Sequence, residues 1–302
     1  MKRIFFHTAA VAALVLSLNS CTREVLESES VVTINEGVRT DLDRWLERNF
    51  VLPYNIEYVY KWDSNTVPFE FETTPVDYQE AVVHAHLIKY LCFDCFAAVA
   101  GNNFVCRYMP KQVYVVSSPM TLAGANFSVV GSTDFGKRVL LSDINGFAEA
   151  LTTNLWRMKG SLMAQQSFSE KVGKTTFHEL MHLLNYTVDM PVSYKEITPN
   201  YLFSDWTRYE YKLGEGFISA YSRYSEMEDF AEVFAHYIII FPPIWEERAA
   251  KDERIVKKLS LIRSYLEESF GVDIDALRAE YQNRLQKVCT GKVTYQILTD
   301  LN

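Results

Sequence analysis

Positive charge is in deficit in this 302-residue sequence: 30 lysines and arginines face 38 aspartates and glutamates, for a net charge of −8. An acidic surface excludes nucleic acid as a partner and disfavours electrostatic adhesion to anionic lipid. Glycine is scarce, at 12 residues, and none of it forms a phosphate-cradling loop. There is no internal repeat, and no Ser-His-Asp or Cys-His arrangement offers a nucleophile for covalent catalysis. The apolar stretch Ala9 to Leu18 is too short to span a bilayer comfortably. What is present is a 48% hydrophobic composition, ample for the core of one large domain or two small ones.

Histidine is also rare, yet two of the six stand four apart in Phe177-His178-Glu179-Leu180-Met181-His182-Leu183, inside an apolar, helix-like run. On a helix that spacing stacks both imidazoles on one face, where they can reach one metal ion. Zinc suits neutral imidazole nitrogen, and a catalytic zinc site keeps a fourth position for water beside three protein ligands. Glu179 then lies next to that open position, where a base for the water is needed.

A third ligand is required. No G-x-x-H follows the motif, and His236 is the one later histidine. The run Glu226-Met227-Glu228-Asp229-Phe230-Ala231-Glu232 offers carboxylates instead, with Phe230, Val233, Phe234 and Tyr237 at helical spacing. Glu228 and Glu232 share a face, and burying two carboxylates beside an apolar stripe is costly unless a cation compensates them. Glu226, Glu228 and Glu232 are all candidates for the third ligand at this point.

H-E-x-x-H followed at a distance by Glu-x-x-x-Glu resembles the gluzincin metallopeptidases. With Tyr221 seven residues before Glu228-Asp229-Phe230-Ala231-Glu232, the pattern is similar to the anthrax lethal factor catalytic domain and to the lipoprotein zinc metallohydrolases of Bacteroidetes outer membranes. The resemblance implies one zinc ion held by His178, His182 and Glu228, with Glu179 as general base. It makes Tyr221 the phenol that stabilises the oxyanion or assists the leaving group, and Glu232 the carboxylate that orients a histidine, His178 first. The fold it implies is α+β and zincin-like: a small mixed sheet packed on the motif helix, with a mainly helical C-terminal part from about residue 217.

Met1-Lys2-Arg3, the apolar stretch and Leu18-Asn19-Ser20-Cys21 form a secretory signal. Its ending resembles a bacterial lipobox, which implies cleavage after residue 20 and a lipid on Cys21. Loss of residues 1–20 removes Lys2 and Arg3 and no acid, leaving a charge of −10. Residues 21–39 are expected to be a tether and 40–302 the metallopeptidase domain.

Thr40 is the expected N-cap of a helix over 41–50 that Pro53 stops. Strands are expected at 55–62, 112–117 and 136–142, and one long helix over 76–101. That helix carries His84, His86, Cys92 and Cys95, but the two histidines point to different sides and no second C-x2-C pair completes a zinc ribbon. Buried thiols, or one disulfide with Cys106, are the simpler expectation; Cys289 is structural or free. Helices are expected at 147–156, 169–186, 244–251, 252–270 and 274–288, the last three with their charges on solvated faces. By the gluzincin resemblance, 139–142 is the sheet edge to which an extended substrate adds, with an ordinary core strand as the alternative. The aromatic-rich segment 187–216, including Tyr201, Phe203, Trp206, Tyr209 and Tyr211, is a candidate cleft wall.

The expected function is zinc-dependent hydrolysis of peptides or glycoproteins on the bacterial cell envelope, at the outer membrane or cell surface, beside an outer-membrane nutrient importer that the resemblance implies. The alternative is a non-catalytic peptide- or glycan-binding lipoprotein serving such an importer, which an occluded cleft would favour.

Overall fold

Thr40 opens the first helix as its sequence context requires. Its Oγ1 accepts the Asp43 amide while the Asp43 carboxylate accepts the Thr40 amide, a reciprocal capping box on Asp41–Leu46. The computed structural model describes residues 38–63, 71–122, 128–134, 137–208 and 210–302. The expected signal segment, Cys21, most of the expected tether and Tyr209 lie outside them. The compact unit runs from Thr40 to Asn302.

Pro53 does not stop the first helix. A π-helical stretch, Glu47–Val51, and a last turn, Leu52–Tyr54, carry it to Asn55 in the left-handed region at φ 55°. The wider π register accommodates a residue with no N–H to donate.

Seven short strands occur among the described residues: β1 Glu57–Val59, β2 Phe71–Glu72, β3 Gln112–Val115, β4 Met120–Leu122, β5 Ser128–Val129, β6 Gly131–Asp134 and β7 Arg138–Leu141. The main sheet has the order β1-β3-β7-β6, with β1, β3 and β7 parallel and β6 antiparallel at the end. β2, β4 and β5 form a second, antiparallel sheet that the sequence did not signal.

This order corrects the expected substrate edge. β7 lies between β3 and β6 with Val139, Leu140 and Leu141 buried, so it has no free side. Three apolar residues in succession are what an interior strand flanked by neighbours demands. The edge on that side is β6, a polar, glycine-bearing strand that was not among the expected strands.

The helix over 78–100 is continuous, Tyr78–Ile88 and Asp94–Ala100 joined by the π stretch Lys89–Phe93. By length and composition it could cross a membrane, but here every residue from Ala81 to Ile88 is buried in the core. His84 meets the Tyr58 hydroxyl at 2.9 Å, and His86 stacks on Trp45 with centroids 3.8 Å apart. Cys92, Cys95, Cys106 and Cys289 are all free thiols, so neither a disulfide nor an accessory metal site forms among them.

The motif helix is longer than its expected start. Ser161 caps Leu162–Ser169, and the π stretch Glu170–Lys174 leads into Thr175–Asn185. At Gly173 a Cβ would lie 2.6 Å from the Tyr281 hydroxyl, so only glycine lets the C-terminal helix Ile274–Cys289 approach this closely. Thr175–Asn185 packs on β6 and β7 on one side and on the glutamate helix, Glu226–Ile239, on another. The expected helix over 147–156 is instead two short ones, Phe147–Leu151 and Leu155–Gly160. Helices at Pro242–Lys251, Glu253–Phe270 and Ile274–Cys289 complete the unit, the last two capped by Asp252 and Asp273.

Candidate metal centre

On the motif helix the polar His178, Glu179 and His182 sit among buried neighbours, with Thr176 to Asn185 all withdrawn from solvent. The His178 and His182 rings meet edge to face with centroids 4.7 Å apart. Their Nε2 atoms are 3.0 Å apart, and Glu228 Oε2 lies 2.9 Å from one and 3.2 Å from the other. Tetrahedral ligands about 2.0–2.1 Å from zinc stand about 3.3 Å apart, so this triangle fits one zinc ion with little rearrangement. Two imidazoles and a carboxylate also match the donor preference of zinc. Among the described residues this is the one cluster of three such groups able to hold a metal.

The glutamate helix brings the third member. Ser225 caps it, its Oγ accepting the Glu228 amide at 3.3 Å. Ser225-x-x-Glu228 is a capping-box sequence, but here the glutamate turns away from the cap toward the histidines. Its place in the first turn sets an anion at the positive end of the helix. Glu226, one rival, lies outside the triangle on a separate surface pocket; Glu232, the other, sits behind His178.

Glu232 Oε1 is 3.0 Å from His178 Nδ1, although at an angle poorer than a good hydrogen bond. The other oxygen, Oε2, accepts from Ser219 Oγ at 2.6 Å and lies 3.3 Å from Lys174 Nζ. Ser219 and Lys174 were not singled out in the sequence, since neither belongs to a recognisable spacing. His236, one turn along, bonds the Glu232 carbonyl at 2.8 Å and stays out of the triangle.

The electrostatics of the cluster call for a cation. Burial opposes charge on His178, yet the neighbouring Glu228 and Glu232 carboxylates outweigh it and push the imidazole up to about 10. Burial likewise opposes charge on Glu228, but the two histidines hold it at about 2. Glu232 lies well below the ordinary carboxylate range: burial raises it, and Lys174, His236 and His178 more than compensate. The buried carboxylates thus favour positive charge at the point where the two imidazoles meet, as a metal ion would supply.

Glu179 is 5% exposed and lines the same cavity, about 820 Å³, that reaches His178, His182 and Glu228. Thr133 Oγ1 on β6 donates to Glu179 Oε2. Tyr221 enters from a short helical turn, Tyr221–Arg223, its ring centroid 5.9 Å from that of His178. Burial, with the charges of Glu228 and Glu179, pushes its phenol well above its ordinary value, so the hydroxyl keeps its proton. Of the aromatic segment 187–216, Trp206 lines the cavity and meets the Tyr221 ring edge to face at 5.0 Å. Tyr201 turns inward to Asp229.

Behind the site, Asp229 receives hydrogen bonds from Lys258 and from the Tyr201 hydroxyl. Lys258 is fully buried, contrary to the expectation that charges on the C-terminal helices are solvated. A lysine in an amphipathic helix, here next to the exposed Lys257, carries no sequence mark of burial, because its partner is 29 residues away.

An α+β unit with a small sheet, a H-E-x-x-H helix and a converging glutamate defines the class of the metallopeptidases. The chain belongs to the family described as "putative zinc-binding metallo-peptidase", which matches residues 35–275. It is similar to the crystal structure of a protein of that description from Bacteroides caccae, at 25% identity and a TM-score of 0.65, over 90% of this chain and all of that one. A search of curated proteins found no match.

Proposed function

We propose that the protein is a gluzincin-type, zincin-fold peptidase that holds one zinc ion through His178, His182 and Glu228. The observation that carries this reading is the convergence of those three ligand atoms on the cavity that Glu179 and Tyr221 also line. When bound, zinc supplies Lewis acidity that activates water and polarises a carbonyl. Glu179 takes the proton from the attacking water and delivers it to the leaving amine. Tyr221, protonated across the working pH range, donates its hydroxyl proton as a hydrogen bond to the developing oxyanion. Glu232 holds His178 through Nδ1, which leaves Nε2 for the metal.

The substrate is a peptide or glycoprotein whose chain lies extended along the free edge of β6, adding main-chain hydrogen bonds to the sheet. A non-catalytic binding lipoprotein would call for an occluded cleft, whereas the cavity of about 820 Å³ reaches the ligands. The protein is exported, loses residues 1–20 and is lipid-anchored through Cys21 to the cell envelope, at the outer membrane or cell surface. There it works beside an outer-membrane nutrient importer, with no role for nucleic acid. Fatty-acid labelling that survives Cys21→Ser would overturn the anchor.

The test is metal content of the protein lacking residues 1–21. One zinc in the parent and in Glu179→Gln, and none in Glu228→Ala, is expected, followed by peptide turnover in the parent alone. A parent without zinc after reconstitution overturns the reading.

A further inference from the structure

The edge strand does more than border the cavity. Gly131 and Thr133 are two apart on β6 and so face the same way, and both meet Glu179. Thr133 Oγ1 donates to Glu179 Oε2 and lies 3.5 Å from the Glu179 carbonyl oxygen. At Gly131 a Cβ would stand 2.6 Å from Glu179 Oε1 and 2.4 Å from Thr175 Cγ2. A side chain there has no room while the carboxylate keeps its place.

We propose that β6 positions the catalytic carboxylate: Thr133 pins Oε2, and the bare backbone of Gly131 leaves Oε1 as the oxygen that handles the proton. The inference rests on the peptidase reading for the role of Glu179, and it divides that role between two oxygen atoms. A carboxylate on a flexible glutamate side chain samples several rotamers. A hydrogen bond to one oxygen removes most of that freedom without occupying the other. Because the same strand offers its free edge to the substrate chain in this reading, base and scissile bond are referenced to one rigid element. Register along β6 then fixes the distance between them. Gly131 and Thr133 are positioning residues, since neither touches the reacting atoms.

Thr133→Val keeps the shape and removes the donor, Thr133→Ser restores the donor, and Gly131→Ala intrudes on Oε1. Each is compared with the parent and Glu179→Gln for zinc content, for kcat and KM on a peptide, and for affinity toward a peptide hydroxamate. The hydroxamate hydroxyl needs a carboxylate acceptor beside the metal. Thr133→Val is expected to retain zinc and KM while losing about tenfold in kcat, with weaker hydroxamate binding and recovery in Thr133→Ser. Gly131→Ala is expected to lose kcat with zinc retained. Parental kcat and hydroxamate affinity in Thr133→Val overturn the proposal, as does equal loss of zinc from Thr133→Val and Thr133→Ser. If the parent cleaves no peptide, the peptidase reading fails by itself, and the hydroxamate affinities still decide whether Thr133 sets the carboxylate.

Discussion

Lys258 donates to Asp229 with both side chains fully withdrawn from solvent, and Asp229 is the residue next to Glu228. The same ammonium donates to the Gly216 carbonyl at 2.6 Å and lies 4.4 Å from the centroid of the Phe217 ring. One cation therefore ties the helix Glu253–Phe270 both to the start of the glutamate helix and to the segment that leads into Tyr221.

Removing that cation strands a buried carboxylate. Lys258→Met is expected to destabilise the protein by about 3–5 kcal/mol, read as a lower midpoint in urea or thermal unfolding. Combining it with Asp229→Asn is expected to recover much of the loss, because the second change removes the stranded charge. A single variant with parental stability would show that the pair is dispensable.

Tyr221 acts through its hydroxyl in the proposed chemistry. Tyr221→Phe keeps the ring against Trp206 and His178 and is expected to bind one zinc, while kcat falls by about 10²–10³-fold. Steady-state kinetics on a cleaved peptide, with metal content measured alongside, separates this from a packing role. Unchanged kcat removes Tyr221 from the mechanism.

Zinc removal is expected to lower stability as well as activity, since an ion bound to the folded state adds about 4 kcal/mol at a concentration 1,000 times its Kd. Calorimetric scans before and after chelation, and again after re-addition of zinc, measure the difference. Equal transition temperatures would mean that the triangle does not bind the ion.

Burial pushes the His84 imidazole down to about 3, against 6.5 for the free side chain. The unfolded chain therefore binds the extra proton first. This histidine's contribution to stability is complete above pH 6.5 and is lost as pH falls toward 3, at up to about 1.4 kcal/mol per pH unit. His84→Gln is expected to flatten the stability profile in that window, as denaturant titrations at several pH values can show. An unchanged slope would assign acid sensitivity to other groups.

Loss of the Ser225 cap links stability to metal affinity. Ser225→Ala is expected to cost about 1 kcal/mol and to weaken zinc binding, because Glu228 sits in the turn that Ser225 secures. Competition against a fluorescent chelator gives the affinity; an unaltered value would show that the turn holds without its cap.

The pairing of His178 with His182 was legible because helical periodicity converts sequence spacing directly into geometry, whereas Glu228 was singled out from Glu226 and Glu232 by the family resemblance, and the structure brings it to the two histidines. The start of the first helix and the three C-terminal helices were legible from local pattern too, through the cap at Thr40 and helical periodicity. The role of β6 was not. Its residues Gly131-Ser132-Thr133-Asp134 carry little strand propensity, and pairing with β7 imposes their extended form. Strand order also lies beyond local pattern, which is why the substrate edge was expected one strand too far inward. Lys258, Ser219 and Lys174 stayed hidden because their importance arises from partners distant in the chain.

The close seat of Tyr281 against Gly173 bears on how the protein comes into being. Tyr281 donates to the Ser169 carbonyl at 3.3 Å, and Ser169 donates to the Ile239 carbonyl at 2.8 Å, so the final long helix braces the two helices that carry His178, His182 and Glu228. A chain made from its N-terminus presents His178 and His182 about a hundred residues before that brace exists. On the proposed reading, metal capture waits for that brace, and a prematurely terminated chain would carry the motif without the helix that steadies it.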